Sequence, residues 1–281
     1  MPKRRIGLAL SGGGARGLAH IGVLKVLEQS QISIEIISGT SMGGLIAAGY
    51  AMGQSPEEMT ERALKLAHPR ELIKLMDLNP LRRGLLEGNR IREYIIEMIG
   101  VDTTFEQTRL PLALNAVDLF TCKEVTLTEG PLSTAVMATT CVPGLFSPVE
   151  YGPYRLVDGG VLNNVPVAQA RALGADFIIA VDVMLDPRNF LPWPDLPIRP
   201  HWPIPMPDFF LDFYRAELLM QVVLSEKQLT EQKPDIVIRP QMANDITMFM
   251  GFPKAGEAIE AGITAAQEAV PMIIKQIEQV T

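Results

Sequence analysis

Short apolar runs alternate with helically spaced stretches from the start of the chain, and this pattern predicts strands and helices in turn. Residues 5–10 form an apolar run that reads as a strand, and residues 18–29 place Ile21, Leu24 and Leu27 on one side of a helix. A second apolar run, 32–37, predicts another strand, followed by a small-residue helix over 44–52. Strand–helix–strand–helix favours a parallel sheet. Further along, 56–67 and 88–99 read as amphipathic helices, expected to cap the site. Residues 112–118, 124–128, 155–157, 176–183 and 235–238 read as strands. Helices are expected over 132–140 and 255–280, the latter broken or bent near Pro271. No internal repeat is evident.

Three junctions in this pattern carry chemistry. Gly39-Thr40-Ser41-Met42-Gly43 lies between the second strand and the helix after it. Glycines at its outer positions remove Cβ atoms where such a turn crowds its neighbours, so the Ser41 hydroxyl can project into a pocket. The N–H of Met42 then falls at a helix N-terminus, aimed where an oxyanion can form. Ser11-Gly12-Gly13-Gly14-Ala15-Arg16-Gly17 follows the first strand and presents N–H groups with little steric cover. The third junction, Leu156-Val157-Asp158-Gly159-Gly160, puts an aspartate at the tip of an apolar strand, where it reaches across a cleft or caps the helix starting near Pro166. Open α/β sheets place their sites at such strand ends.

Gly12, Gly14 and Gly17 also satisfy the G-x-G-x-x-G dinucleotide spacing. That use wants a carboxylate at the end of the second strand. Glu35 sits before Ile36, Ile37 and Ser38, and the strand ends in the serine turn instead. The nucleotide reading falls behind. A Ser-His-Asp triad needs a histidine after the acid, and the chain has His20, His68 and His201. His20 falls inside the first helix and reads as a packed residue, His68 precedes Pro69 at a helix end, and His201 lies among prolines. A Ser–Asp pair is the better candidate. A carboxylate is a weak base for a serine, so Asp158 must be partly desolvated, hydrogen-bonded to the hydroxyl, and coupled to strong oxyanion stabilisation.

The blocks 12–17, 39–43 and 158–160 resemble the three signature blocks of the patatin-like phospholipases, and the resemblance runs from about residue 5 to 183. Gly84-Leu85-Leu86-Glu87-Gly88 and Val142-Pro143-Gly144-Leu145-Phe146-Ser147-Pro148 are similar to the family's intervening text. The resemblance implies a three-layer α/β/α fold with a central, mostly parallel sheet and the serine on a strand–turn–helix elbow. It implies Ser41 as nucleophile, Asp158 as its base, and oxyanion N–H groups from Gly12, Gly13, Gly14 and Met42. Gly17, Gly39, Gly43, Gly159 and Gly160 are the motif glycines. Arg16 holds the block's basic position, to pair with a lipid phosphate or to form a buried or helix-terminal ion pair. The implied activity is lipid acyl-ester hydrolysis of the phospholipase A or lysophospholipase type, without metal or organic cofactor. A carboxylesterase or acyl-thioesterase with the same pair, and a non-catalytic acyl-ligand sensor on the same fold, are the alternatives.

The 281 residues suit a single α/β domain with extra helices. A net charge of −7 argues against a nucleic-acid partner and offers no global attraction to anionic bilayers. Two cysteines, Cys122 and Cys141, are too few for a disulfide scaffold and fit a reducing compartment. The basic start, Met1-Pro2-Lys3-Arg4-Arg5, runs straight into the first strand, so no cleaved leader is expected. The charge-poor stretches 36–56 and 130–149 hold site elements and read as core, not membrane spans. A cytoplasmic protein with peripheral membrane contact is expected. Between 186 and 207 prolines at 187, 192, 194, 197, 200, 203, 205 and 207 rule out regular structure. With Phe190, Trp193 and Trp202, and Phe209, Phe210 and Phe213 beyond, this is either a wrapping segment or a lid that admits acyl chains. Met242, Met248 and Met250, with Phe249 and Phe252, either line an acyl pocket or fill the core.

Overall fold

The computed structural model describes residues 4–77, 86–184, 208–243, 245–248 and 251–279. Stretch 186–207, with His201 and its aromatics, therefore lies outside the described residues, as do Phe249 and Met250.

Among the described residues eight strands form one sheet: β1 (Ile6–Leu10), β2 (Ile36–Thr40), β3 (Leu112–Asp118), β4 (Lys123–Leu127), β5 (Val149–Tyr151), β6 (Tyr154–Asp158), β7 (Phe177–Val181) and β8 (Ile236–Ile238). The order is β5-β6-β3-β2-β1-β7-β8, with β4 on β3. The central strands β3, β2, β1, β7 and β8 are parallel, and β4, β5 and β6 add antiparallel pairs. Strands β1, β2, β3 and β7 are buried along their whole length, which is why they read as continuous apolar runs.

Helices cover both faces. Leu8, Leu10, Ile37, Leu114 and Val181 point into the larger core, shared with α1 (Ala19–Gln29), α2 (Ser41–Ala51), α3 (Pro56–Leu66) and α9 (Ala255–Glu278). Ala9, Ile36, Ile178 and Ala180 face the other side, where Val167 and Ala170 of α7 (Val167–Ala172) and Leu229 of α8 (Asp208–Gln232) pack. This is the expected three-layer arrangement. Helix α9 runs through Pro271 without the break that was one of the two expected outcomes. Pro271 and Gln267, the residue whose carbonyl loses its helical donor, are both exposed, and buried Ile273 re-anchors the next turn. The short α4 (Pro69–Lys74), α5 (Asn89–Ile99) and α6 (Leu132–Thr139) complete the described helices.

The pairing around β3 positions the site. β4 runs along residues 114–118 of β3, so β2, on 112–115, and β6, on 116–118, must share the opposite edge. β2 is parallel to β3 and β6 antiparallel, so their C-terminal ends meet. Thr40 lies opposite Asn115 and Asp158 opposite Ala116. Two segments far apart in sequence thus end head-on, Ser41 beyond one and Asp158 at the tip of the other.

Candidate active site

Ser41 opens α2 directly from the last residue of β2, with φ of 53°. That left-handed conformation costs a non-glycine residue about 1–3 kcal/mol, and close packing holds it. A Cβ on Gly43 would lie 2.4 Å from the carbonyl oxygens of Leu10 and Ser11, and one on Gly39 2.5 Å from the carbonyl of Gly43. The elbow needs both glycines because backbone meets backbone there. Thr139, at the end of α6, accepts the Ser41 N–H on Oγ1 (2.9 Å) and donates to the Asn115 carbonyl (2.6 Å). Asn115 in turn donates through Nδ2 to the Asn163 carbonyl (2.7 Å).

Ser41 and Asp158 are both buried in the wall of one small pocket, and the Ser41 hydroxyl favours the charged form of the Asp158 carboxylate. The Gly160 N–H donates to Asp158 Oδ1 (2.8 Å). Burial pushes the Asp158 carboxyl up to about 7, against the lowering effect of these two groups, and the nearby charge of Glu217 adds to the rise. The small pocket above the pair is walled by Gly12, Gly13, Val142, Asn164, Met248 and two residues of α8, Glu217 and Gln221.

The glycine loop reaches this pocket, but its members divide. A Cβ on Gly12 would lie 3.0 Å from Ser41 Cβ, so the loop touches the nucleophile's side chain. The Gly12 N–H, expected to be an oxyanion donor, instead donates to the Asn164 carbonyl (3.2 Å) and is occupied. Gly14, at φ +53, packs on the backbone of Met248 and does not wall the pocket. Among the described residues Gly13 N–H meets no protein acceptor, and the Met42 N–H lies in the first turn of α2, where helical acceptors are lacking. Arg16 does not face the pocket either. Its guanidinium is buried and donates to the carbonyls of Val183 (2.7 Å) and Ile246 (3.0 Å), a clamp between segments and not a phosphate contact. Gly17 and Gly159 allow close packing, against Met42 and against the Asn115 carbonyl (2.4 Å from an added Cβ).

His20 is fully buried, its Nε2–H donating to the Ser11 carbonyl (2.8 Å), and burial drives its pKa down to about 4. It is a packed neutral imidazole. His68 precedes α4 at its N-cap position. The expected cap by the amphipathic helices is also corrected: α3 and α5 wall a second, apolar cavity with Met42, Leu45, Met59, Tyr94, Met98 and Phe252, while α8 closes the pocket over Ser41. Of the proposed acyl-pocket residues, Met248 walls the Ser41 pocket, Phe252 the apolar cavity, and Met242 packs on the core. Cys122 and Cys141 are free thiols.

Thr139, Asn164, Glu217 and Gln221 were not singled out from sequence. Asn164 sits six residues after Asp158 and Thr139 inside an expected helix, but nothing in the pattern around 217 points to the site.

These features define an α/β protein with a serine on a strand–turn–helix elbow that shares a small pocket with a buried aspartate. The pattern of the patatin-like phospholipase family matches residues 8–171, and the chain belongs to that family. Curated relatives include an uncharacterised NTE family protein of Mycobacterium bovis, 35% identical over 179 residues, 64% of this chain and 49% of that protein. Another is lysophospholipase nte1 of Emericella nidulans, 34% identical over 182 residues, 64% of this chain and 12% of that protein. The chain thus spans about half the length of the first relative and a small part of the second. Among solved structures, VipD of Legionella pneumophila matches in fold, with a TM-score of 0.51 at 12% identity, covering 96% of this chain and 67% of that one.

Proposed function

We propose that the protein is a serine acyl hydrolase acting on lipid esters, of the phospholipase A or lysophospholipase type, with Ser41 as nucleophile and Asp158 as its base. The meeting of buried Ser41 and buried Asp158 in the wall of one small pocket, at the facing ends of β2 and β6, carries this reading. A carboxyl raised to about 7 is a better proton acceptor than an ordinary aspartate, yet still ionised above neutrality. As Ser41 Oγ attacks the ester carbonyl, its proton passes to Asp158, and the N–H groups of Gly13 and Met42 stabilise the oxyanion. Collapse transfers that proton to the departing alcohol oxygen and leaves an acyl-serine. Water, deprotonated by Asp158, then releases the fatty acid. The apolar cavity beside Met42 supports an acyl chain as the retained half. Family membership and the lysophospholipase named among the relatives support a lipid ester. Among the described residues no helix is long and apolar enough to cross a membrane, and bilayer substrate is proposed to be met at the surface.

The test uses a fluorophosphonate probe and hydrolysis of a phospholipid, a lysophospholipid and a short-chain ester. Wild type is expected to label and to turn over lipid, whereas Ser41→Ala does neither. Persistent labelling of Ser41→Ala overturns the nucleophile. Turnover of the short ester alone favours a general esterase. No labelling of wild type favours an acyl-ligand sensor.

A further inference from the structure

The proposed mechanism leaves the Asn164 side chain without a task, yet it stands beside both groups that act. It is buried, and its Nδ2 donates to the Gly12 carbonyl (3.4 Å), which fixes the amide with Oδ1 as the free end. Among the described residues no N–H or O–H group donates to that oxygen. A Cβ on Gly12 would lie 2.5 Å from Asn164 Oδ1 and 3.0 Å from Ser41 Cβ, so the oxygen neighbours the nucleophile's side chain. A Cβ on Gly160 would lie 2.9 Å from it, 3.1 Å from Asp158 Oδ1 and 3.5 Å from Gln221 Nε2. Two acceptors and one donor therefore converge in front of Gly160, in the wall of a pocket with room for about one water.

The second half of the reaction needs what this corner offers. To release the acyl group from Ser41, an attacking oxygen gives a proton to Asp158 while a lone pair faces the acyl carbon. A water doing so has a second hydrogen, and a buried hydrogen of that kind is costly without an acceptor. Asn164 Oδ1 is that acceptor, and the Gln221 N–H meets the remaining lone pair. An alcohol has one hydroxyl hydrogen only. It serves Asp158 and leaves Asn164 Oδ1 unpaired.

We infer that Asn164 seats the hydrolytic water against Asp158, and that this pair of acceptors commits the acyl-enzyme to water over alcohols, hydrolysis over acyl transfer. The inference rests on the hydrolase reading. In the step itself the water oxygen bonds to the acyl carbon as its proton passes to Asp158. The bond from that carbon to Ser41 Oγ then breaks, and Oγ takes the proton back from Asp158 as the carboxylic acid leaves.

Turnover of p-nitrophenyl octanoate in water–methanol mixtures tests it, with octanoic acid and methyl octanoate measured as products and p-nitrophenol release followed from the first turnover. The ratio of acid to methyl ester belongs to the acyl-enzyme alone, so neither a loss of folded protein nor slower acylation moves it. Asn164→Leu keeps the bulk and removes the acceptor, and is expected to lower that ratio about tenfold from wild type. Gly160→Ala puts a methyl into the seat and keeps the N–H that holds Asp158. It is expected to give a burst of p-nitrophenol and then turnover slowed about tenfold, with octanoyl-Ser41 accumulating. An unchanged ratio in Asn164→Leu overturns the inference, as does Gly160→Ala slowed equally in the burst and after it. Where Asn164→Leu does not fold, Gly160→Ala decides alone. The two readings fail distinguishably. A wild type that neither labels nor forms an acyl-enzyme takes both down, whereas an active wild type with an unmoved ratio takes down the water seat only.

Discussion

Thr139 decides where the Ser41 backbone sits. Its hydroxyl is spent twice, accepting the serine N–H and donating to the Asn115 carbonyl, and it is fully buried. Replacing it by valine keeps the volume and strands both partners, at about 1–3 kcal/mol. A small shift of the elbow also misaligns the hydroxyl with Asp158. Thr139→Val is therefore expected to lose about 1–3 kcal/mol in urea unfolding and to slow Ser41 labelling about tenfold or more, while Thr139→Ser restores both. At this scale the serine turn and the Asp158 strand tip were legible because glycines mark places where backbones collide. Thr139 and Glu217 were not, since a buried threonine in a helix and a glutamate on another carry no local signature. The Gly12 N–H and Arg16 show the limit of motif reasoning: residue type was read, but the partner, a carbonyl in each case, belongs to the tertiary fold.

Between elements, α1 and α9 cross with backbone against backbone. An added Cβ on Gly262 would lie 1.9 Å from the Ala19 carbonyl oxygen, and one on Gly22 2.1 Å from that of Ile259. Neither backbone can yield without separating the helices. Gly262→Ala is expected to destabilise by about 1–3 kcal/mol or more through overpacking, despite alanine's higher helix propensity. Gly256, six residues earlier in α9, is exposed, and its Cβ would meet only Leu64 Cδ2 at 3.7 Å. Gly256→Ala should stabilise by about 0.5–1 kcal/mol. Paired thermal melts check both signs. Most strands and helices were legible to within a few residues, because a buried parallel sheet writes continuous apolar runs and surface helices write period. Helix α8 was not. It buries Gln221 and Ser225 and exposes Leu219, Met220 and Val223, so no apolar face appears in its sequence. The helix that walls the pocket was the one without a pattern.

Across the whole molecule, the same buried carboxyl ties activity and stability to pH with opposite signs. Asp158 is raised to about 7 by burial, so the folded state holds its proton more tightly than the unfolded chain does. The stability this confers is fully present below the unfolded value, near 4, and is lost as pH rises through about 7, with a ceiling of about 4 kcal/mol. Asp182, buried at the end of β7, is raised by burial too and acts in the same direction. Asp118 opposes them: the Thr121 hydroxyl and nearby backbone donors hold its carboxyl down to about 2, so its contribution is present above about 4 and lost as pH falls toward 2. The fold is thus expected to be most stable in mildly acid solution. The proposed base works only when ionised, so Ser41 labelling and ester hydrolysis should rise with pH through about 7, while the urea midpoint declines from about pH 4 to about 7 and levels off above. Asp158→Asn separates the two. An amide fills the same space without a charge to desolvate, so the variant should lose hydrolysis yet exceed wild-type stability by about 1–4 kcal/mol at pH 8, and match it near pH 4. Urea unfolding of both proteins at the two pH values decides the matter: a variant equally stable at both means that Asp158 is not held as a strained, buried carboxylate, and its pH-linked role as base falls with that.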